Sequence, residues 1–128
     1  MRVKTSELTR RALDWAVHYA MCCDVMVLGR DKFVANLIHD TRSPSTDWAH
    51  GGPFIEREKI SLESLPGAGD TGADVWVANM TYPDKKFGGV AFSEAQGPTP
   101  LIAAMRCYVA SKLGEIVEVP RELYKEDV

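Results

Sequence analysis

Several things are scarce or missing in this 128-residue chain, and each absence removes a class of function. No run of about 18 consecutive apolar residues is present and the N-terminus has no apolar signal segment, so neither a membrane span nor export is expected. Basic residues are outnumbered, 15 Lys and Arg against 18 Asp and Glu, for a net charge of -3. The two signs balance through Ser64, so the excess acidity lies downstream. Broad electrostatic binding to duplex DNA needs the opposite balance. Only three cysteines occur, Cys22, Cys23 and Cys107, without CxxC spacing, and they read as reduced, buried, small apolar residues. The three histidines, His18, His39 and His50, form no i,i+4 pair, so no metal site or cofactor is expected. A GxSxG elbow, an HExxH helix, a Walker loop and a GxGxxG turn are all missing, and the expectation is a protein that is not an enzyme.

What is present suits one small globular domain spanning residues 1–128. Hydrophobic residues make up 45% of the chain, and no repeat, low-complexity tract or linker divides it. Thr5 is placed to cap an N-terminal helix whose apolar stripe runs Leu8, Ala12, Trp15, Ala16, Tyr19 and Cys23. Val25–Leu28 and Phe33–Ile38 read as a hairpin turning at Gly29–Lys32. Asp40 to Pro53 has turn residues and no period, and predicts a long loop of a kind that is usually functional or disordered. Phe54, Ile55, Ile60, Leu62 and Leu65 suggest a strand interrupted by Glu56-Arg57-Glu58-Lys59. Val75–Met80 is β-branched and aromatic, as a central strand requires, and Val90-Ala91-Phe92 is a further short strand.

The stretch GPTPLIAAMRCYVASKLG, residues 97–114, has three boundary signals of a helix: Thr99 as N-cap, Pro100 in the first turn and Gly114 beyond the last. Ile102, Met105, Val109 and Leu113 make its buried stripe, and Ala103, Ala104 and Ala110 allow a neighbour to approach closely. The whole predicts an α+β fold, with a small antiparallel sheet of four or five strands packed with an N-terminal and a C-terminal helix.

Arg106 stands out, a cation among small residues on a packing face. Helical side chains lean toward the N-terminus, so its guanidinium is directed at the Thr99 helix end, where free N–H groups favour phosphate or carboxylate. The alternative is a plain helix start with Arg106 paired to Glu56 or Glu58. The second unusual stretch is STDWAHGGPFIERE, residues 45–58. Trp48 offers a flat face to a base or sugar, Gly51 and Gly52 let backbone approach a ligand, and Asp47, Glu56 and Arg57 supply polar contacts. Asp47 with His50 is either an acid–base couple or local turn bonding. In the plain alternative Trp48 plugs the core edge, the glycines turn the chain, and Glu56-Arg57-Glu58 lie on a solvated strand.

The stretches VKTSELTRRALDWAV, STDWAHGGPFIERE and GPTPLIAAMRCYVASKLG resemble the phage NinX family in the same order and at similar separation. Where that family commonly has DWAQGGPIIERE, this chain has His50 for Gln and Phe54 for Ile, which argues against His50 as a required base. Residues 61–96 match only loosely. The resemblance implies a phage accessory protein in the cytoplasm of the bacterial host. The recombination factors encoded near such proteins add nucleic acid as an implied partner.

Together these features lead to a non-catalytic binder of a small phosphorylated ligand, such as a nucleotide or a nucleotide-derived host immune signal. The ligand set would be Asp47, Trp48, Gly51, Gly52, Glu56, Arg57, Thr99 and Arg106. Replacing Arg106 or Trp48 by Ala is then expected to abolish binding while the melting temperature stays near that of the wild type. Two alternatives use the same residues. One is a module that docks onto a host or phage protein through the 40–53 loop, and the other binds single-stranded nucleic acid through Trp48 and Trp76. A homo-oligomer is a further expectation, with the second subunit completing a pocket under the loop.

Overall fold

A computed structural model describes residues 2–22, 43–69, 71–84, 86 and 88–119. In chain order these form β1 (Arg2–Lys4), a single 3-10 turn (Thr5–Glu7), α1 (Arg10–Cys22), α2 (Trp48–Glu58), β2 (Ser61–Leu65), β3 (Val75–Pro83), β4 (Val90–Gly97), α3 (Pro100–Leu113) and β5 (Ile116–Glu118). The chain is α+β, but the five described strands do not share one sheet. β2, β3 and β4 make an antiparallel sheet with β3 in the centre, and β1 pairs with β5 in a separate antiparallel ribbon. The hairpin expected over residues 25–38, together with Cys23 and His39, lies outside the described residues.

α3 is the hub. It crosses the inner face of β3 and β4 and also packs against α1 and α2, so Leu101 and every residue from Ala103 to Val109 are buried. A helix covered on several sides has no polar stripe to keep, which is why Arg106 sits on a packing face. Its boundaries are those the sequence signals: the Thr99 hydroxyl accepts the Ile102 N–H at 3.2 Å, and the Gly114 N–H reaches the Ala110 carbonyl at 3.0 Å. Gly97 makes the close crossing possible, since a Cβ there would lie 2.8 Å from the Ala103 nitrogen. β4 is tied to α3 by a reciprocal buried pair, with the Ser93 hydroxyl donating to the Cys107 carbonyl at 2.9 Å and the Cys107 thiol donating to the Ser93 carbonyl at 3.3 Å. Phe92 and Val90 lie on the opposite face of β4 and are exposed.

Three local expectations are corrected. Thr5 does not cap α1, which begins at Arg10; its hydroxyl donates to the Gly114 carbonyl at 2.6 Å and its N–H to the Glu115 carbonyl at 2.8 Å, clipping the N-terminal segment to the end of α3. The described part of the expected loop is a turn at residues 43–47 followed by helix, because the Ser43 carbonyl accepts the Thr46 and Asp47 N–H groups and α2 starts at Trp48. The interrupted strand expected from Phe54 is helical through Glu58. Lys59, at φ 53°, closes α2 in the left-handed conformation and strand begins only at Ser61.

α2 forms against its own composition. Gly51, Gly52 and Pro53 are poor helix formers, and Pro53 cannot donate to the Ala49 carbonyl. Packing offsets this. The Phe54 ring meets Tyr108 of α3 at 5.2 Å between centroids, and Gly51 lies so close to the Pro44 carbonyl and Leu101 that a side chain there would overlap both. Asp47 caps the helix by accepting the Ala49 N–H at 2.9 Å.

Candidate functional site around Arg106

The eight candidate residues fall into two groups on different faces of α3. Leu101 and Tyr108 face α2, while Arg106 lies about 140° around the helix axis from Leu101 at about 100° per residue. Asp47, Trp48, Gly51, Gly52, Glu56 and Arg57 therefore gather on α2, away from Arg106. Trp48 is 55% exposed at the first position of that helix. Gly51 is filled space and not an approach route for a ligand, whereas Gly52 has nothing within 4 Å of where a Cβ would sit. Glu56 is exposed, and Arg57 lies over the Phe54 ring at 4.8 Å while donating to Glu58 at 3.3 Å. Trp76, proposed with Trp48 as a stacking platform, is half-buried against the core.

The geometry of Asp47 and His50 is that of turn bonding. One Asp47 oxygen caps α2 and the other lies 3.8 Å from His50 Nδ1, which already accepts the Ser43 N–H at 3.0 Å. An Nδ1 that accepts presents its lone pair, so it has no proton to share with Asp47.

Arg106 holds a different position. It is 9% exposed, its Nε donates to the Leu8 carbonyl at 2.9 Å and its Nη1 to the Gln96 carbonyl at 2.9 Å. These bonds join α3 to the segment before α1 and to the end of β4; neither Glu56 nor Glu58 is the partner. The side chain does lean toward the helix N-terminus, as its direction on α3 requires. Burial lowers the pKa of the guanidinium from its ordinary value, and the charge of Glu7 opposes that shift. Nη2 has no protein partner among the described residues.

Two adjoining clefts open at Arg106, sharing Ser6, Glu94, Ala95 and the guanidinium itself. The first, about 370 Å³, runs between β4 and the β1–β5 ribbon over Ala110, with Lys4 and Glu115 at its sides. The second, about 610 Å³, passes Gln96, Gly97 and Pro98 beside the Thr99 helix end and reaches Asp74. Both volumes fall in the range of small-molecule sites. No residue of α2 lines either one. The Thr99 hydroxyl is engaged in its own cap, so what Thr99 contributes is the helix end and not a free side chain.

The family model described as Bacteriophage P22, NinX matches residues 4–112. The chain belongs to that family. The NinX match runs from the end of β1 to the last turn of α3, and so takes in Lys4, Ser6, Glu94 and Arg106 as well as all of α2. No curated protein is significantly similar to the chain. Among the described residues, no helix is long and apolar enough to cross a membrane, and no group of three His, Cys, Asp or Glu side chains could hold a metal ion.

Sequence reasoning chose Arg106 and missed Lys4, Ser6, Glu94 and Glu115. None of the four had a local signal, being ordinary polar residues on strands and turns. They meet because the N-terminal 3-10 turn packs beside β4 and β5 returns to pair with β1.

Proposed function

We propose that this NinX-family protein is a non-catalytic binder of a small phosphorylated ligand, a nucleotide or nucleotide-derived signal among the candidates, and that the ligand's anionic group is taken by Arg106. The supporting observation is the state of that guanidinium. Two backbone carbonyls fix its plane and leave Nη2 as a donor at two clefts. An arginine held in advance loses little side-chain entropy when an anion arrives, and its fork suits phosphate oxygens. In a bacterial cell infected by a phage, such a protein would act by withdrawing its ligand from host proteins that respond to it.

The test is calorimetric titration of 5′-nucleotides and inorganic phosphate into the wild type, Ala110→Leu and Trp48→Ala. Ala110 lines the first cleft, and leucine there fills it without removing a polar partner. Binding that is lost in Ala110→Leu and kept in Trp48→Ala supports the Arg106 cleft; binding kept in Ala110→Leu and lost in Trp48→Ala moves the site to α2. Native mass spectrometry of protein from infected cells, before and after denaturation, would identify a retained ligand by mass.

Docking onto a host or phage protein is the second reading, favoured by Trp48. A tryptophan 55% exposed at a helix start beside exposed Asp47 is a common kind of interface anchor. A stoichiometric partner recovered with the wild type and not with Trp48→Ala would support it.

A further inference from the structure

The clefts at Arg106 carry more charge than the fold uses. Lys4, Glu94 and Glu115 line the first cleft with Arg106, and all three are exposed. None forms an ion pair among the described residues. The first cleft thus presents two cations, Arg106 and Lys4, together with two carboxylates, Glu94 and Glu115. In the second cleft Asp74 adds another carboxylate, already accepting the Gly67 N–H at 3.1 Å.

Lysine and arginine only donate hydrogen bonds, and an ionised carboxylate only accepts them. A ligand that is anionic throughout would satisfy Arg106 and Lys4 but set like charge against Glu94 and Glu115. A ligand that is cationic throughout would fail at the buried guanidinium. The ligand that satisfies both halves has an anionic head and, a short distance away, a positively charged donor. We infer that the cleft selects a phosphomonoester that also bears a protonated amine, the phosphate on Arg106 and Lys4 and the ammonium between Glu94 and Glu115. The inference rests on the reading of Arg106 as a phosphate site and narrows it, since ordinary nucleotides, whose bases carry no ammonium at neutral pH, and polyanions such as nucleoside triphosphates are then disfavoured.

Two probes that differ only in the amine test it: ethyl phosphate and O-phosphoethanolamine, titrated calorimetrically into the full chain at mildly alkaline pH, where both phosphates are dianionic and the amine is protonated. O-phosphoethanolamine is expected to bind about tenfold more tightly, or about 1.4 kcal/mol. The double variant Glu94→Gln, Glu115→Gln should reduce it to the level of ethyl phosphate; both side chains are exposed, so the fold is retained. Equal affinities, or weaker binding of the amine, overturn this inference and leave the phosphate reading standing. An amine advantage that survives in the double variant also overturns it. Binding of neither probe overturns this inference, and the phosphate reading is then decided by the titration of 5′-nucleotides and inorganic phosphate.

Discussion

Replacing Arg106 by alanine, with unfolding measured in the absence of any ligand, isolates the structural role of this side chain. The change removes two charge-assisted hydrogen bonds at once, one to the Leu8 carbonyl in buried surroundings and one to the Gln96 carbonyl in part-buried surroundings. A bond from a charged donor contributes about 1.5–3 kcal/mol, and a buried acceptor left unpaired costs about 1–3 kcal/mol. Water entering through the clefts can take over the Gln96 carbonyl, as it cannot the more enclosed Leu8 carbonyl. One bond is lost in full and the other mostly replaced, so the expected loss is about 2–4 kcal/mol, or roughly 10 °C in melting temperature for a chain of this length. This revises the expectation drawn from sequence, in which Arg106→Ala spared stability. Urea unfolding at neutral pH measures the loss through the midpoint at constant slope, and Arg106→Lys, able to reach one carbonyl, should fall between the two. A loss below about 0.5 kcal/mol, the ordinary range for a surface substitution, would refute the account of Arg106 as the brace between Leu8 and Gln96.

Further outcomes follow from the same packing. Gly51→Ala drives a methyl group into the Pro44 carbonyl and Leu101 and should cost about 2–3 kcal/mol, whereas Gly52→Ala, next to it on α2 with open space, should gain about 0.5–1 kcal/mol; thermal unfolding of the two variants checks the contrast. The Cys107 thiol is pushed up to about 11, chiefly by burial, with the Ser93 hydrogen bond lowering it and the charge of Glu94 raising it. The unfolded chain releases this proton at lower pH than the native state, so the contribution is fully present below about 9 and is lost as pH rises toward 11. Wild type should therefore lose more stability over that interval than Cys107→Ala, measured by urea midpoints; parallel curves would sink the argument.

Much of the fold was legible in particular residues. Thr99, Pro100 and Gly114 bound α3 because capping is local chemistry, and Val75–Met80 is the central strand because β-branched residues suit a pleat buried against a helix. The first turn after Thr5 misled, since a threonine hydroxyl serves a distant carbonyl as readily as a helix N–H. Residues 48–58 misled more. Gly51, Gly52 and Pro53 argue for a loop on propensity alone, and only the contacts of Phe54 with Tyr108 and of Gly51 with Leu101 make a helix there favourable. Arg106 was conspicuous as a cation in an apolar stripe, but its partners are backbone carbonyls, and any residue can supply a carbonyl.

The sequence by itself determined the family, the α+β class, the limits of α3 and the singular position of Arg106, because each is written in side-chain type and spacing over a few residues. Tertiary structure alone decided the division of strands between two sheets, the helicity of α2 and the composition of the cleft. Lys4, Glu94, Arg106 and Glu115 are up to 111 positions apart in the chain, and what brings them together is the packing of α3 on β4 and the pairing of β1 with β5 across the end of α3, encounters with no local signature.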